Sequence, residues 1–338
     1  MLLRPGDRVG DRLTVDRPLG EGAFAEVHRV THDYLGLQAM KLFKRVASEE
    51  ETAAMLGEAQ LLSTLGHPNI IRVFDANTVR TPEGVRGFFT MEYVNGGNLE
   101  TLAAGHRKRV PTGLVTEVLR QIAAGLELAH AQDPPIVHRD LTLANVLIGR
   151  DDQDRMRVLV SDFGLAKRAD PVTRLASAQG TYAFMAPEVV REDGYSCASD
   201  VWSVGTIAYW LLTNRFPFDD GGPFSSYSLA RFRRRLLPPR RYNDDVGAEL
   251  DRIVLAALEL DPRNRLRGAA ELAAALRDVR RPLAPRALDL VARAEELSRT
   301  PGRLGRAADL LEDAIALEPR LREDHAYRLS LWRRGVVM

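Results

Sequence analysis

Between His138 and Gly164 the chain carries His138-Arg139-Asp140, then Asn145 five residues past that aspartate, then Asp162-Phe163-Gly164. No other stretch constrains the fold as tightly, because these polar side chains are useful only if separate segments bring them to one place. An aspartate able to accept a hydroxyl proton, an amide oxygen close behind it and a second carboxylate ahead of a glycine are what a site needs to orient an alcohol and to hold magnesium on a triphosphate.

The chain around this run changes character along its length. Residues 12–43 read as short strands with turns: 25–31 alternates apolar and polar, and 38–43 is apolar around one lysine. Ser48, with Glu51 three residues later, forms a capping box, and Met55, Leu62 and Leu65 then recur at helical spacing. Residues 88–94 read as another strand, closed by a flexible Asn95-Gly96-Gly97, where a small first lobe is expected to end.

From Gly113 onward helices dominate. Val115, Val118, Leu119, Ile122, Leu126 and Ala129 form an amphipathic stripe, whereas 201–212 is apolar on nearly every side and predicts a helix buried within its domain. Further helices are expected over 250–260 and 269–279, and Pro282 and Pro285 mark a linker. Beyond it, 287–297 and 305–317 read as a helical hairpin ending in Glu318-Pro319, with a third helix over 323–332. Ala307, Leu311, Ala314 and Pro319 fall at the offsets of the second helix of a tetratricopeptide repeat, while the first helix needs one extra residue in its loop. A repeat and a plain hairpin both stay open.

At 338 residues the chain exceeds what one core usually organises, so two or three packed units are expected. With 45% hydrophobic and 28% charged residues it is an ordinary globular composition, and a net charge of +1 gives no footprint for nucleic acid. A single cysteine, Cys197, excludes a disulfide framework and suits a reducing cytosol; its simplest role is that of a small, partly buried side chain. No window is apolar for the length of a membrane span, and Met1-Leu2-Leu3-Arg4-Pro5-Gly6 lacks the apolar stretch of a signal peptide. A cytoplasmic protein without membrane or nucleic-acid partners is therefore expected. Of 47 basic residues only Lys41, Lys44, Lys108 and Lys167 are lysines, as a GC-rich genome that favours arginine codons would produce.

Gly20-Glu21-Gly22-Ala23-Phe24-Ala25-Glu26-Val27 lies between two strands, where small residues let backbone amides approach phosphates; taken alone it would be read as a hairpin turn. Ala39-Met40-Lys41 places a lysine among apolar neighbours, where an unpaired ammonium is costly and needs an anion. Glu58 shares a helix face with Leu62 and Leu65, so it is expected to point inward. Lysine and glutamate would solve each other's burial problem, and the pair would hold the α- and β-phosphates of ATP.

With these motifs in order, the chain resembles a eukaryotic-type (Hanks-type) protein Ser/Thr kinase, of bacterial kind, over residues 13–281. The resemblance implies an α+β bilobal fold: a small antiparallel β-sheet lobe with one helix, then a larger, mainly helical lobe, followed here by the C-terminal hairpin. It divides the chain into a lead-in over 1–12, an N-lobe over 13–94, a C-lobe over 95–281 and a tetratricopeptide-like extension over 282–338. It implies ATP and Mg2+ as cofactors, with Mn2+ as an alternative ion, and a protein substrate.

The same resemblance assigns roles. Lys41 and Glu58 match the ion pair, Asp140 the catalytic aspartate, and Asn145 and Asp162 the metal ligands. Leu19, Gly20, Gly22, Val27, Ala39 and Leu147 match the nucleotide cradle, Met91 the gatekeeper, and Glu92 to Val94 the adenine-contacting hinge. Leu62, Val73, His138 and Phe163 match a stacked apolar spine, which makes His138 structural. Ala186-Pro187-Glu188 closes the activation segment and with Gly180-Thr181 builds a peptide shelf; Asp200 matches a buried anchor and Arg265 the partner of Glu188.

One departure stands inside the central run: Thr142 and Leu143 replace the usual Lys-Pro. The lost charged hydrogen bond is worth about 1.5 to 3 kcal/mol, roughly 10- to 150-fold in rate, which predicts a slow kinase and weakens the case for Ser/Thr over Tyr acceptors. Arg139 beside Asp140 suggests control by loop phosphorylation, with Ser177 as first candidate and Thr173 as second. The six arginines of 231–241 are expected on a solvated surface, a docking site for an acidic partner being the alternative.

Two rival functions stay open beside the kinase: an ATP-binding scaffold that is catalytically weak or inactive, and a small-molecule phosphotransferase. Residues 283–338 are candidates for a protein partner or for self-association, since a lone repeat needs a neighbour to bury its faces.

Overall fold

The computed structural model describes residues 2–22, 25–44, 57, 63–81, 84–106, 109–163, 182–219, 229–277, 279, 285–300, 302–318 and 321–336. They form two compact units, Met1–Val279 and Arg280–Met338.

The first unit begins with a six-stranded antiparallel sheet in the order β1-β2-β3-β4-β6-β5: β1 Arg8–Val9, β2 Leu13–Glu21, β3 Ala25–His32, β4 Gly36–Phe43, β5 Val73–Thr81 and β6 Gly84–Glu92. The central strand β4 reads as a continuous apolar run because both of its faces are covered. Ala39 and Phe43 enter the main core, while Met40 and Leu42 join Leu3, Val9, Val15, Val30 and Phe88 on the opposite face. The lead-in residues thus seal the outer side of the sheet.

Helices follow: α1 Leu99–Ala104, α2 Thr112–His130, then the hairpin of β7 Val146–Arg150 and β8 Met156–Val160, then α3 Pro187–Val190, α4 Cys197–Thr213, α5 Ala248–Ala257 and α6 Ala269–Arg277. The stripe read from Val115 to Ala129 is buried along α2, and α4 is buried on nearly all sides, as its composition demands. Helix α4 starts with a reciprocal capping box between Ser196 and Ser199 and stops at Asn214 in the left-handed region. One core runs from Ala39 and Met91 through Ile122 and Leu159 to Ile207 and Leu272.

Asn95-Gly96-Gly97, expected as a flexible closure, is instead fastened to β7. The Ile148 N–H donates to the Gly97 carbonyl at 2.9 Å, and a Cβ at Gly96 would overlap the Ile148 carbonyl oxygen. Glycine answers close backbone approach there, and Gly97 also takes a φ of 79°.

The second unit holds α7 Pro285–Ser298, α8 Leu304–Leu317 and α9 Leu321–Arg333. Its core is largely alanine, with Ala287, Ala294, Ala307, Ala308 and Ala314 packed beside Leu311, Ile315, Leu321 and Trp332. Small side chains let helix axes approach closely. Arg328 pairs with Glu295, and Arg333 reaches Asp309 at 2.8 Å and Glu312 at 2.6 Å. No helix among the described residues is long and apolar enough to cross a membrane.

Candidate active site

The β7–β8 hairpin is what joins the two halves of the central motif run. Its register pairs Val146 with Val160, so Asn145 and Ser161 sit side by side and Asp162 follows immediately. The Ser161 N–H and hydroxyl both donate to the Asn145 carbonyl, at 2.9 and 3.0 Å. Asp162 then turns through the left-handed region, φ 58°, a conformation costly for a non-glycine residue and held by its surroundings.

That turn brings the Asp162 carboxylate to 2.8 Å from the Lys41 ammonium on β4. Both side chains are largely buried, which answers the need for an anion beside this lysine. The partner expected for Lys41, Glu58, lies outside the described residues, as do Leu62, Gly164, Thr173, Ser177 and Gly180-Thr181.

Asn145 is oriented by Asp140. Its Nδ2 donates to the Asp140 carbonyl at 2.7 Å and to Oδ2 at 3.4 Å, so the amide oxygen is the end left to accept or to ligate. Among the described residues no group of three or more His, Cys, Asp or Glu side chains could hold a metal ion. The candidate cation site is therefore one carboxylate and one amide oxygen near a second carboxylate. Hard oxygen donors in that small number suit magnesium, which usually completes its shell with water and substrate phosphates, and the same set accepts manganese.

His138 is neutral and structural. Its Nδ1 accepts the Asp140 N–H at 3.2 Å, which places the proton on Nε2, donated to the Ser161 carbonyl at 2.8 Å. Complete burial pushes its pKa down, and the ring packs on Phe163 at 4.6 Å. Beneath it, the fully buried Asp200 on α4 accepts the N–H groups of His138 and Arg139 at 2.6 and 3.0 Å. Arg139 takes a φ of 68°, so this anchor fixes a loop that would otherwise relax.

The expected nucleotide contacts surround this centre. Ala39 and Met91 are register partners on β4 and β6 and are buried in the main core, with Val27, Val94 and Leu147 partly exposed against it. Glu92 makes its own commitments: its N–H donates to the Arg72 carbonyl at 2.9 Å, and its carboxylate is gripped by Arg157 at 2.6 and 3.2 Å. Arg157 also donates to the Pro68 carbonyl at 2.6 Å. The Glu92 side chain therefore braces the hinge and is not available to a ligand.

In the glycine loop, Gly20 pairs with Val27, the Gly22 N–H donates to the Ala25 carbonyl at 2.9 Å, and Leu19 is exposed. A Cβ added at Gly20 would meet nothing within 4 Å, so packing inside the protein does not impose glycine there.

Asp140 also lines a small recess, together with Arg139, Phe184, Met185, Val189 and Tyr195 among others. Its wall is tied down by Glu188, whose carboxylate receives a bidentate grip from Arg265 at 2.6 and 3.0 Å. Arg265 is 0% exposed at its side chain, also donates to the Ala198 and Glu259 carbonyls at 2.9 Å, and lies 5.0 Å from the Trp202 ring.

Three supports escaped the sequence reading. His130, at the end of α2, donates to Asp200 at 3.1 Å while its Nδ1 accepts the Ala269 N–H at 3.1 Å, linking α2, α4 and α6. Its only local signal is a polar residue ending a buried stripe. Arg157 has none. Arg231, expected on a solvated surface with its neighbours, is instead buried, its charge taken up by backbone carbonyls and aromatic faces, whereas Arg233, Arg235, Arg240 and Arg241 are exposed as expected.

The protein kinase domain family matches residues 13–275. The serine/threonine-protein kinase PknB of Mycobacterium tuberculosis is 31% identical over 310 residues, covering 88% of this chain and 48% of PknB. A probable serine/threonine-protein kinase of Streptomyces coelicolor, SCO3848, is 32% identical over 272 residues, 78% of this chain and 39% of its own length. Among solved structures, the kinase domain of M. tuberculosis PknI superposes with a TM-score of 0.60 at 26% identity, covering 82% of this chain and 99% of that domain. The chain spans about half the length of the mycobacterial relatives it matches. It belongs to the eukaryotic-type protein kinase family, beside the bacterial serine/threonine kinases.

Proposed function

We propose that this chain is an ATP-dependent protein serine/threonine kinase that transfers the γ-phosphate to Ser and Thr hydroxyls of protein acceptors and of itself. The observation that carries the reading is the 2.8 Å approach of Lys41, from the sheet, to Asp162, from the end of β8. It brings a cation for the triphosphate and a carboxylate for the metal to one point.

The roles follow from the geometry. Asp140, with its N–H fixed by His138 and its carbonyl by Asn145, faces the recess and would orient the acceptor hydroxyl and take its proton. Asn145 and Asp162 would hold magnesium, and Lys41 would hold the α- and β-phosphates. Bound magnesium would neutralise the charge that builds on the phosphates during transfer. Val27, Ala39, Met91 and Leu147 offer apolar surface to adenine. Leu19, Gly20 and Gly22 would let backbone approach the phosphates, and the Glu92 to Val94 hinge would meet the adenine edge through backbone. Glu58 remains the proposed second partner of Lys41.

Regulation and location are part of the same proposal. Arg139 would receive a phosphate carried by Ser177, or by Thr173, and so couple transfer to phosphorylation. The extension over 282–338 would act as a tetratricopeptide-like docking module: Ala307, Leu311 and Ala314, the positions that suggested the repeat, are buried in the core of the second unit. A cytoplasmic site of action fits the lone cysteine and the need for ATP.

Thr142 sets the rate in this account. It is 8% exposed, two residues past Asp140, and supplies no charge to the transferring phosphate. Incubation with ATP and magnesium should put phosphate on Ser and Thr of a generic acceptor, read by phosphoamino-acid analysis. Thr142→Lys should raise that rate about tenfold or more. Label found only on Tyr would replace the hydroxyl preference, and an unchanged Thr142→Lys rate would remove the explanation for slowness.

A further inference from the structure

Arg231 stands outside everything the proposed reaction uses, and it is costly to bury. It is 2% exposed, and burial pulls its pKa down to about 10, so it stays charged at neutral pH while bearing the desolvation cost of a cation. A buried cation is kept only where hydrogen bonds and other contacts compensate that cost. What the cation does must therefore be sought in what it holds.

It holds backbone. Nη2 donates to the carbonyls of Tyr182 and Met185, each at 3.1 Å. The guanidinium is itself fixed by aromatic faces, 4.5 Å from the Phe232 ring and 5.5 Å from that of Tyr182. Phe232 meets Trp202 and Phe218 edge to face at 5.7 and 5.9 Å, so the clamp is anchored in the packed aromatic centre of the helical lobe. The two carbonyls bracket the single helical turn Tyr182–Phe184, and the carbonyl of Phe184 accepts the Ser203 hydroxyl at 3.0 Å. Three successive supports thus pin the backbone whose side chains Phe184 and Met185 wall the recess beside Asp140.

We propose that Arg231 is a positioning residue for the protein acceptor, fixing the 182–185 backbone so that the recess keeps the shape that receives the chain flanking the phosphorylated hydroxyl. The inference rests on the kinase reading, and it separates Arg231 from the exposed arginines that follow it. Lysine retains the charge but lacks the planar guanidinium whose Nη2 is held by the aromatic faces where it donates to both carbonyls, so it should serve only in part. Methionine fills the space and holds neither.

Steady-state kinetics of the full chain with ATP and dephosphorylated casein test this. Arg231→Met should raise the KM for casein about tenfold while the KM for ATP stays within about twofold. Arg231→Lys should fall between, and Ser203→Ala should shift the casein KM in the same direction by a smaller factor. A folded Arg231→Met with an unchanged casein KM overturns the proposal, as does a parallel loss in both substrates, which would mark a merely structural residue. If Arg231→Met does not fold, Arg231→Lys and Ser203→Ala decide, and an unchanged casein KM in both overturns it. A wild-type chain that labels neither casein nor itself removes the kinase reading, and the inference with it.

Discussion

Asp140→Asn should lower the turnover of phosphoryl transfer by about 10² to 10⁴, the usual worth of a positioned proton acceptor, while leaving ATP affinity nearly intact. The substitution keeps the shape of the side chain and its contact with Asn145 Nδ2, 3.4 Å from Oδ2 in the wild-type site. What it removes is basicity and charge at the recess. Binding of a fluorescent ATP analogue together with single-turnover transfer would separate the two effects. Equal losses in nucleotide affinity and turnover would place Asp140 in nucleotide binding instead of in proton acceptance.

The second large effect is on stability. Glu188→Ala leaves the guanidinium of Arg265 buried without its carboxylate, and breaking a buried pair from one side costs about 3 to 5 kcal/mol. For a unit of this size each kcal/mol is worth about 2 to 4 °C, so a fall of roughly 6 to 20 °C in Tm is expected by calorimetry. Arg265→Leu should be similar in direction. Replacing both partners by leucine should recover part of the loss, because no uncompensated charge then remains. Such a double variant should still transfer phosphate poorly, since the 186–188 wall of the recess has lost its tether. A Tm unchanged by Glu188→Ala would show that the two hydrogen bonds at 2.6 and 3.0 Å carry no net stability.

How much of this was legible in the sequence depended on whether the physical cause was local. Helix α4 announced itself because burial on every side demands an apolar residue nearly everywhere, and β4 did so because both of its faces are covered. Edge strand β5 did not: its run Val73-Phe74-Asp75-Ala76-Asn77-Thr78 is largely exposed and carries polar residues that a loop would also carry. The β7–β8 hairpin was missed for a related reason. Its strands are five residues each, and its turn is built by Asp151, whose carboxylate accepts the N–H groups of Gln153 and Arg155 at 2.9 Å, without a glycine to mark it.

The site divides in the same way. Asp140, Asn145 and Asp162 were legible because Asn145 and Asp162 flank one hairpin and Asp140 stands five residues before Asn145, so their spacing in sequence is fixed. The residues that hold them are recruited across the fold. His130 meets Asp200 from 70 positions away and Arg157 meets Glu92 from 65, and nothing in either local sequence records the partner. Arg231 misled for the opposite reason, since most of the arginines that follow it are exposed, whereas it reaches the carbonyls of a turn more than 40 residues away in sequence.

The most direct test is transfer of radiolabelled γ-phosphate from ATP to the protein itself and to casein, with magnesium present or chelated, in the wild type and in Asp162→Ala. The expected result is label in the wild type, loss of label on chelation, and a fall of at least about 10² in Asp162→Ala, because Asp162, which faces Lys41, is the proposed ion ligand. Undiminished label in Asp162→Ala, or no label in the wild type with either acceptor, would contradict it.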